Sequence, residues 1–292
     1  MLPWLDLPAF RSSIEGMQAA SGIDLIAHGT VSDADTIRDT SVAQPLIVSA
    51  GVATLATLFD ANGTVSSKIS GVAGHSVGEI TAAVASGIVT AEQGIKFVKE
   101  RGDAMALAAG LEPTSMAAIL GGEQSVVEAR LAELDLEPAN YNGGGQIVAA
   151  GAAAAIGELQ AEGPTGARVI PLQVAGAFHT RYMAPAVSTL AAYAAGLTVA
   201  DPITKLWTNA GGRAVDSGTQ FVELMVNQVK SPVRWDLCMA AMVEAGVTAM
   251  IEVSPAGTLV GLAKRSMPGV ETLAIKSPEN LDAALALIAN HA

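Results

Sequence analysis

The chain has one cysteine in 292 residues, Cys238, so it can form no internal disulfide. A small disulfide-stapled scaffold is excluded, and a reducing compartment is expected. Cys238 sits in RWDLCMAAMV, an apolar helical pattern, where buried packing is its expected part. Basic residues are scarce: 16 Lys and Arg stand against 28 Asp and Glu, a formal net charge of −12. That field repels phosphates and argues against nucleic-acid binding. Long apolar runs are also missing. None approaches the roughly 20 residues of a bilayer span, so no membrane partner is expected. The opening MLPWLDLPAF lacks both the basic stretch and the apolar run of a secretory leader. Together these absences make the cytoplasm the expected location.

Half of the residues are apolar, enough to bury a large core. The length suits one large α/β unit with a smaller one inserted. Residues 41–59 have apolar positions on more than one face and predict a buried helix. SKISGVAG then predicts a short central strand, followed by a helix from about Val77 to Ser86. In AEQGIKFVKERGDAMALAAG, Ile95, Val98, Gly102, Met105 and Ala109 recur at helical spacing. Between about 115 and 178 the pattern becomes strand, helix, strand, strand, helix, strand, the ferredoxin-like order. The predicted division is a large α/β unit over 1–113 and 179–292, with a ferredoxin-like βαββαβ unit over 114–178. Beyond it, helices alternate with ITKLWTNAGG, VTAMIEVSP and VETLAIKS, which predicts a parallel sheet covered on both faces. Ser217 is a cap candidate, and Pro232 is expected near the first turn of a helix.

The most informative stretch is SGVAGHSVGEITAAVASG, residues 70–87. Gly74-His75-Ser76-Val77-Gly78 is a Gly-x-Ser-x-Gly motif, which alone is weak. Its setting, after a predicted strand and at the start of a predicted helix, is that of a nucleophile elbow. Gly74 and Gly78 would relieve crowding in so tight a turn. The Val77 backbone N–H would face the developing oxyanion, helped by the helix dipole. The alternative is a glycine-rich turn without chemistry.

A serine nucleophile needs a base, and there are four histidines. His291 adjoins the C-terminus and is expected to be mobile; His28 suits a helix end. His75 neighbours the serine, where side chains diverge. His179 follows a predicted strand on a turn, a common place for catalytic groups, and equally one for a surface histidine.

With Ser76 and His179 in place, the chain resembles the malonyl-CoA:acyl carrier protein transacylase family. AQPLI (43–47), AGHSVGEI (73–80), RGDAM (101–105), PANYNGGGQIVAAG (138–151), GAFHT (176–180), SPVRW (231–235) and PAGTLVGLAKR (255–265) match that family in order and spacing. The resemblance implies a ping-pong transfer. Ser76 takes malonyl from malonyl-CoA as an ester, with His179 as base, and the phosphopantetheine thiol of acyl carrier protein removes it. No metal and no redox cofactor is implied, and a monomer is expected. Arg101 matches the arginine that pairs with the malonyl carboxylate. On its own helix it flanks the apolar stripe, where it could present a bidentate fork or simply snorkel to water. Gln228 matches the residue whose backbone carbonyl orients the histidine. Asn142 and His75 match positions near the site. Phe178, directly before His179, goes in related domains with malonyl rather than methylmalonyl.

The family normally opens with an apolar strand running into Gly-Gln-Gly-Ser-Gln, which supplies a second oxyanion donor. The matching part of this chain starts just past it, so the expectation is a natural protein extending upstream of Met1; a crippled enzyme is the alternative. Acyl carrier proteins are acidic, as is this chain. Docking would therefore use local cations, with Lys264, Arg265, Lys205, Arg168 and Arg181 as candidates. Two other functions fit the same residues: a serine hydrolase or thioesterase, and a carrier-binding pseudoenzyme.

Overall fold

The computed structural model describes residues 1–59, 62–65 and 67–291. A 3-10 turn over Leu2–Asp6 leads into α1 (Pro8–Ser21), where a proline in the first turn forfeits no hydrogen bond. Phe10, Ile14 and Met17 form its buried stripe, and Gly22 ends it in the left-handed conformation. Two short helices, α2 (Leu25–Thr30) and α3 (Ala34–Arg38), are capped by the carboxylates of Asp24 and Asp33. Then comes α4 (Thr40–Leu58), apolar on every side. At 19 residues it is long and apolar enough, by length and composition, to cross a bilayer. Ser41, Gln44, Ser49, Thr54 and Thr57 interrupt it, so it is not the uninterrupted apolar run that the sequence lacks. Here α4 is a core helix, packed against α1, α2 and α3, and against the two helices that follow.

The strand β1 (Gly71–Ala73) is followed by α5 (Gly78–Ala85), buried along nearly its whole length. A capping box between Thr90 and Gln93 starts α6 (Ala91–Ala109), and the apolar stripe read from the sequence is its buried face. Gly102 lets α6 approach α4 closely: a Cβ there would lie 3.0 Å from the Thr40 carbonyl.

Residues 114–171 follow the βαββαβ pattern: β2 (Thr114–Gly121), α7 (Gln124–Glu133), β3 (Glu137–Gly143), β4 (Gln146–Ala152), α8 (Ala153–Ala161) and β5 (Ala167–Pro171). The four strands pair antiparallel in the order β5-β2-β4-β3. Alternation along β2 sends Ala117 and Ile119 toward Val127 and Leu131 of α7 and Ile156 and Leu159 of α8. The opposite face, with Met116, Val148 and Ala150, packs on Ala177, Phe178 and Tyr182. That second contact brings the segment around His179 against the sheet.

A 3-10 turn over Arg181–Met183 precedes α9 (Ala184–Ala194). Pro185 has no N–H to donate to the Arg181 carbonyl, which accepts from the Ala184 N–H instead, so the chain makes a 3-10 turn before α9 begins. Next, β6 (Lys205–Trp207) pairs in parallel with β1, Leu206 opposite Val72. Ser217 caps α10 (Gly218–Gln228) as expected, accepting from the Gln220 N–H. Pro232 does not begin the following helix. Val233 and Arg234 form β7 (Val233–Arg234), held in parallel by Asn140 and Tyr141 of β3, and α11 (Trp235–Glu244) starts only after that pairing. The chain closes with β8 (Ala249–Glu252), α12 (Thr258–Ser266), β9 (Glu271–Ala274) and α13 (Leu281–His291).

The fold is α/β. The expected parallel sheet appears among the described residues as two short ladders, β1 with β6 and β8 with β9, besides the parallel pairing of β7 with β3 at the edge of the antiparallel sheet. The first stops after three pairs because β1 leaves into the serine turn and β6 into the turn around Asn209. His291 is not loose: its ring nitrogens lie 2.9 Å from Thr248 Oγ1 and 3.1 Å from Glu271 Oε2. Cys238 is fully buried, as expected.

Ile119 lies at the centre of the βαββαβ core with no exposed surface. Ile119→Ala is expected to lower unfolding free energy by about 2–5 kcal/mol. Leu107→Ala on the surface of α6, where the side chain is 76% exposed, should stay within about 0.5 kcal/mol. Urea unfolding of both variants checks the pair.

Candidate active site

Ser76 stands between β1 and α5 with φ of 52°, a left-handed conformation that costs a non-glycine residue about 1–3 kcal/mol. The turn is so tight that a Cβ on Gly74 would lie 2.0 Å from the Gly78 backbone. Gly74 is therefore required. Gly78 is not required in the same way, since a Cβ there meets nothing within 4 Å, and the crowding expected from the motif falls on one glycine only. Val77 precedes α5 in helical conformation. The strained turn is pinned from β6: Asn209 Oδ1 accepts from the Ser76 N–H at 2.8 Å, and Asn209 Nδ2 donates to the Gly74 carbonyl at 2.8 Å.

His179 arrives from the other side, also left-handed at φ 63°, its backbone N–H donating to the Val229 carbonyl at 2.9 Å. Its Nε2 is 2.6 Å from Ser76 Oγ and its Nδ1 2.9 Å from the Gln228 carbonyl. A carbonyl only accepts, so the Nδ1 carries the proton and the Nε2 lone pair faces the serine hydroxyl. Burial pushes the imidazole pKa down to about 3, with the Arg101 charge the next cause. At neutral pH the ring is neutral, with Nε2 open to accept a proton.

Arg101 projects from α6 into the same space with 2% exposure. Its guanidinium donates to Gln228 Oε1 at 2.8 Å, to Gln44 Oε1 of α4, and toward Ser76 Oγ at 3.4 Å. All three partners are neutral. Burial lowers its pKa to about 10, while the Glu79 charge works the other way, so it remains a cation. The snorkelling alternative is set aside by this burial.

His75 turns away from Ser76. Its Nε2 lies 2.8 Å from Asn142 Oδ1 on β3, its ring meets Trp235 edge-on, and burial lowers its pKa. Asn142 thus meets His75 rather than the serine. Phe178 is partly buried between the main core and the far face of the antiparallel sheet.

Four residues at the site were not read from the sequence: Gln44, Glu79, Thr208 and Asn209. Glu79, 1% exposed, accepts from the Thr208 hydroxyl, the Asn209 N–H and the Gln228 side-chain amide. Burial pushes its pKa up to about 7, against those hydrogen bonds. Its signal was available, since it is the one charged residue in the apolar α5. The other three are neutral polar residues; Gln44 lies in the matched AQPLI stretch, and Thr208 and Asn209 have no pattern to mark them. Chemically, the site joins an aligned hydroxyl and imidazole to a buried cation without an anionic hydrogen-bond partner. That combination suits acyl transfer from a substrate whose acyl group carries a negative charge.

Comparison with known proteins agrees. The family described as acyl transferase domain matches residues 5–277. The chain is 46% identical to the malonyl CoA-acyl carrier protein transacylase of Mycolicibacterium smegmatis, over 97% of this chain and 98% of that protein. It superposes on the crystal structure of MCAT from Mycobacterium tuberculosis with a TM-score of 0.90 and 45% identity, covering 96% of this chain and 93% of that one. It also matches a type II PKS acyl-carrier protein in complex with its malonyl-transacylase, at a TM-score of 0.89 and 27% identity, over 97% and 92% of the two chains.

The sign of the His179 shift gives a direct test. Burial and Arg101 both disfavour the imidazolium, so the ring should stay neutral well below the ordinary histidine value of 6.5. A titration of its ring 15N shifts from about pH 8 to about pH 5 should show no protonation of His179. A midpoint near the ordinary value would contradict the geometry.

Proposed function

The chain belongs to the acyl transferase domain family, and from that premise we propose that it moves malonyl from malonyl-CoA to the phosphopantetheine thiol of an acyl carrier protein, for fatty acid synthesis. One observation carries the assignment of residues: Ser76 Oγ lies 2.6 Å from His179 Nε2 with the Arg101 guanidinium 3.4 Å from the same oxygen.

In the first half-reaction His179 Nε2 takes the Ser76 proton while Oγ attacks the thioester carbonyl. The tetrahedral oxyanion faces the Val77 backbone N–H. Collapse breaks the carbon–sulfur bond, and CoA leaves with the proton that His179 held. The second half-reaction mirrors the first: His179 deprotonates the carrier thiol, its sulfur attacks the malonyl ester, and Ser76 regains its proton. The Gln228 carbonyl holds the imidazole tautomer throughout, the part an aspartate plays in a full triad. Every step is a proton or acyl transfer, so we read the reaction as complete without a metal or redox cofactor.

Arg101 pairs with the malonyl carboxylate through its fork. That pairing also strengthens the base. The Arg101 charge is one cause of the depressed His179 pKa, and a bound carboxylate cancels it. The correct acyl group thereby makes proton transfer to His179 easier. Phe178 fills the space an α-methyl would need, giving a preference of about 1–3 kcal/mol for malonyl over methylmalonyl.

We take 1–113 with 179–292 as the large unit and 114–178 as the small one, which brings Asn142 against His75. Lys264, Arg265, Lys205 and Arg168 remain the proposed contacts for an acidic carrier. Arg181 leaves that set, because Glu137 and Asp135 pair with it at 2.7 and 2.6 Å. A cytoplasmic monomer is the state we propose.

Intact mass after brief exposure to malonyl-CoA without acceptor should show one added malonyl group, absent in Ser76→Ala. Arg101→Ala should slow malonyl loading by about 10–100-fold, the worth of a charged hydrogen bond of ~1.5–3 kcal/mol, and slow acetyl loading far less. Loading of Ser76→Ala, or equal losses for the two acyl groups in Arg101→Ala, would contradict the assignment.

A further inference from the structure

Glu79 is a buried carboxylate that no step above uses. It lies one turn beyond Ser76 on α5, and its three hydrogen-bond partners are neutral. Oε1 accepts from the Thr208 hydroxyl at 2.9 Å and from the Asn209 N–H at 2.7 Å; Oε2 accepts from the Gln228 side-chain amide. A buried carboxylate without a directly bonded cation is costly, and only a set of convergent donors offsets that cost.

The Gln228 side chain lies between this carboxylate and Arg101. Its Nε2 donates to Glu79 and, at 3.0 Å, to the Ser76 carbonyl; its Oε1 accepts from Arg101 at 2.8 Å. The two ends of an amide have nearly the same shape, so its direction is set by what it faces. With Glu79 ionised, acceptor-only oxygens face one end and a donor-only guanidinium the other. With the amide reversed, an NH2 would point at the guanidinium and an oxygen at a carboxylate.

We propose that Glu79 is a positioning residue of the malonyl site: by accepting on both oxygens it fixes the direction of the Gln228 amide, and so holds Arg101 aimed at the substrate carboxylate. The proposal rests on the reading of Arg101 given above. A glutamine cannot take over this part. Its carboxamide has one acceptor oxygen where Glu79 has two, and because the Asn209 N–H and the Gln228 amide reach different oxygens, one of them would face an NH2. The sequence pattern agrees, since an acid in so apolar a helix serves no solvent-facing purpose.

The test is the rate of acyl-enzyme formation per active site, with the active fraction taken from intact mass. It is run with malonyl-CoA and with acetyl-CoA, which lacks the carboxylate. Glu79→Gln is expected to slow malonyl loading at least about tenfold more than acetyl loading, mainly through KM for malonyl-CoA. Because Glu79 acts through Arg101, Glu79→Gln with Arg101→Ala should show the same malonyl-to-acetyl ratio as Arg101→Ala alone. Equal losses for both substrates in Glu79→Gln, or a ratio in the double variant well below that of Arg101→Ala, would reduce Glu79 to a structural part and overturn the proposal. If Glu79→Gln does not fold, Glu79→Asp keeps an acceptor-only head drawn back from Gln228. It should lower the ratio in the same direction, and equal losses there overturn the proposal too. An unchanged ratio in Arg101→Ala would instead overturn the reading of Arg101 itself, an outcome separate from any result at Glu79.

Discussion

A serine held in the left-handed conformation stays there only if its surroundings compel it, and the rest of the site is organised around that constraint. Asn209 supplies the compulsion, one side-chain amide spanning the Ser76 N–H and the Gly74 carbonyl like one rung of a ladder. Asn209 is in turn fixed by Glu79 through its own backbone N–H. The base is held by the same logic. His179 is left-handed as well, anchored by its N–H to Val229 and by its ring to Gln228. Two strained residues on separate segments thus meet at hydrogen-bonding distance because buried amides and carbonyls leave neither any freedom.

The charges follow from the same burial. Excluding water makes the ionisable groups around Ser76, His75 among them, expensive in their charged forms. Glu79 is pushed up to about 7, Arg101 down to about 10 and His179 down to about 3. They do not form a salt-bridged cluster. Neutral amides, Gln44 and Gln228, separate and orient them. Arg101 is therefore held by acceptors strong enough to place it and too weak to satisfy it, which leaves it open to a carboxylate.

Parts of this were legible in the sequence and parts were not, for physical reasons. The helix α4 showed itself by being apolar on every side. Periodicity found α6 and the order of strands and helices from β2 to β5, because those elements bury one consistent face. It failed at Pro232, where pairing with β3 rather than local propensity decides the backbone. Ser76 and His179 stood out because their residue types and settings are rare. Arg101 and Gln228 were carried by the family resemblance, and no local pattern separates either from an ordinary helix residue. Asn209 and Thr208 left no mark at all, and Gln44 only the match of AQPLI to the family, with no part assigned to it. Their part depends on which segments the fold brings together, between α4, α5, α6 and the turn after β6. The motif itself misled on one point: its two glycines look equivalent, while only Gly74 meets the opposing backbone.

On the reading of Arg101 as the malonyl partner, selectivity and reactivity share one cause. A neutral acyl group would leave the guanidinium without an anion and His179 under its full repulsion, so it would bind less well and be attacked by a weaker base. A malonyl group corrects both at once. The cation that lowers the basicity of His179 is then an advantage, because it penalises every acyl group that fails to neutralise it. The same reasoning explains why the neighbouring acid is kept from direct contact. Were Glu79 to reach Arg101, it would neutralise the guanidinium permanently and abolish the distinction. Placed one amide away, it orients the cation and leaves the charge for the substrate to complete.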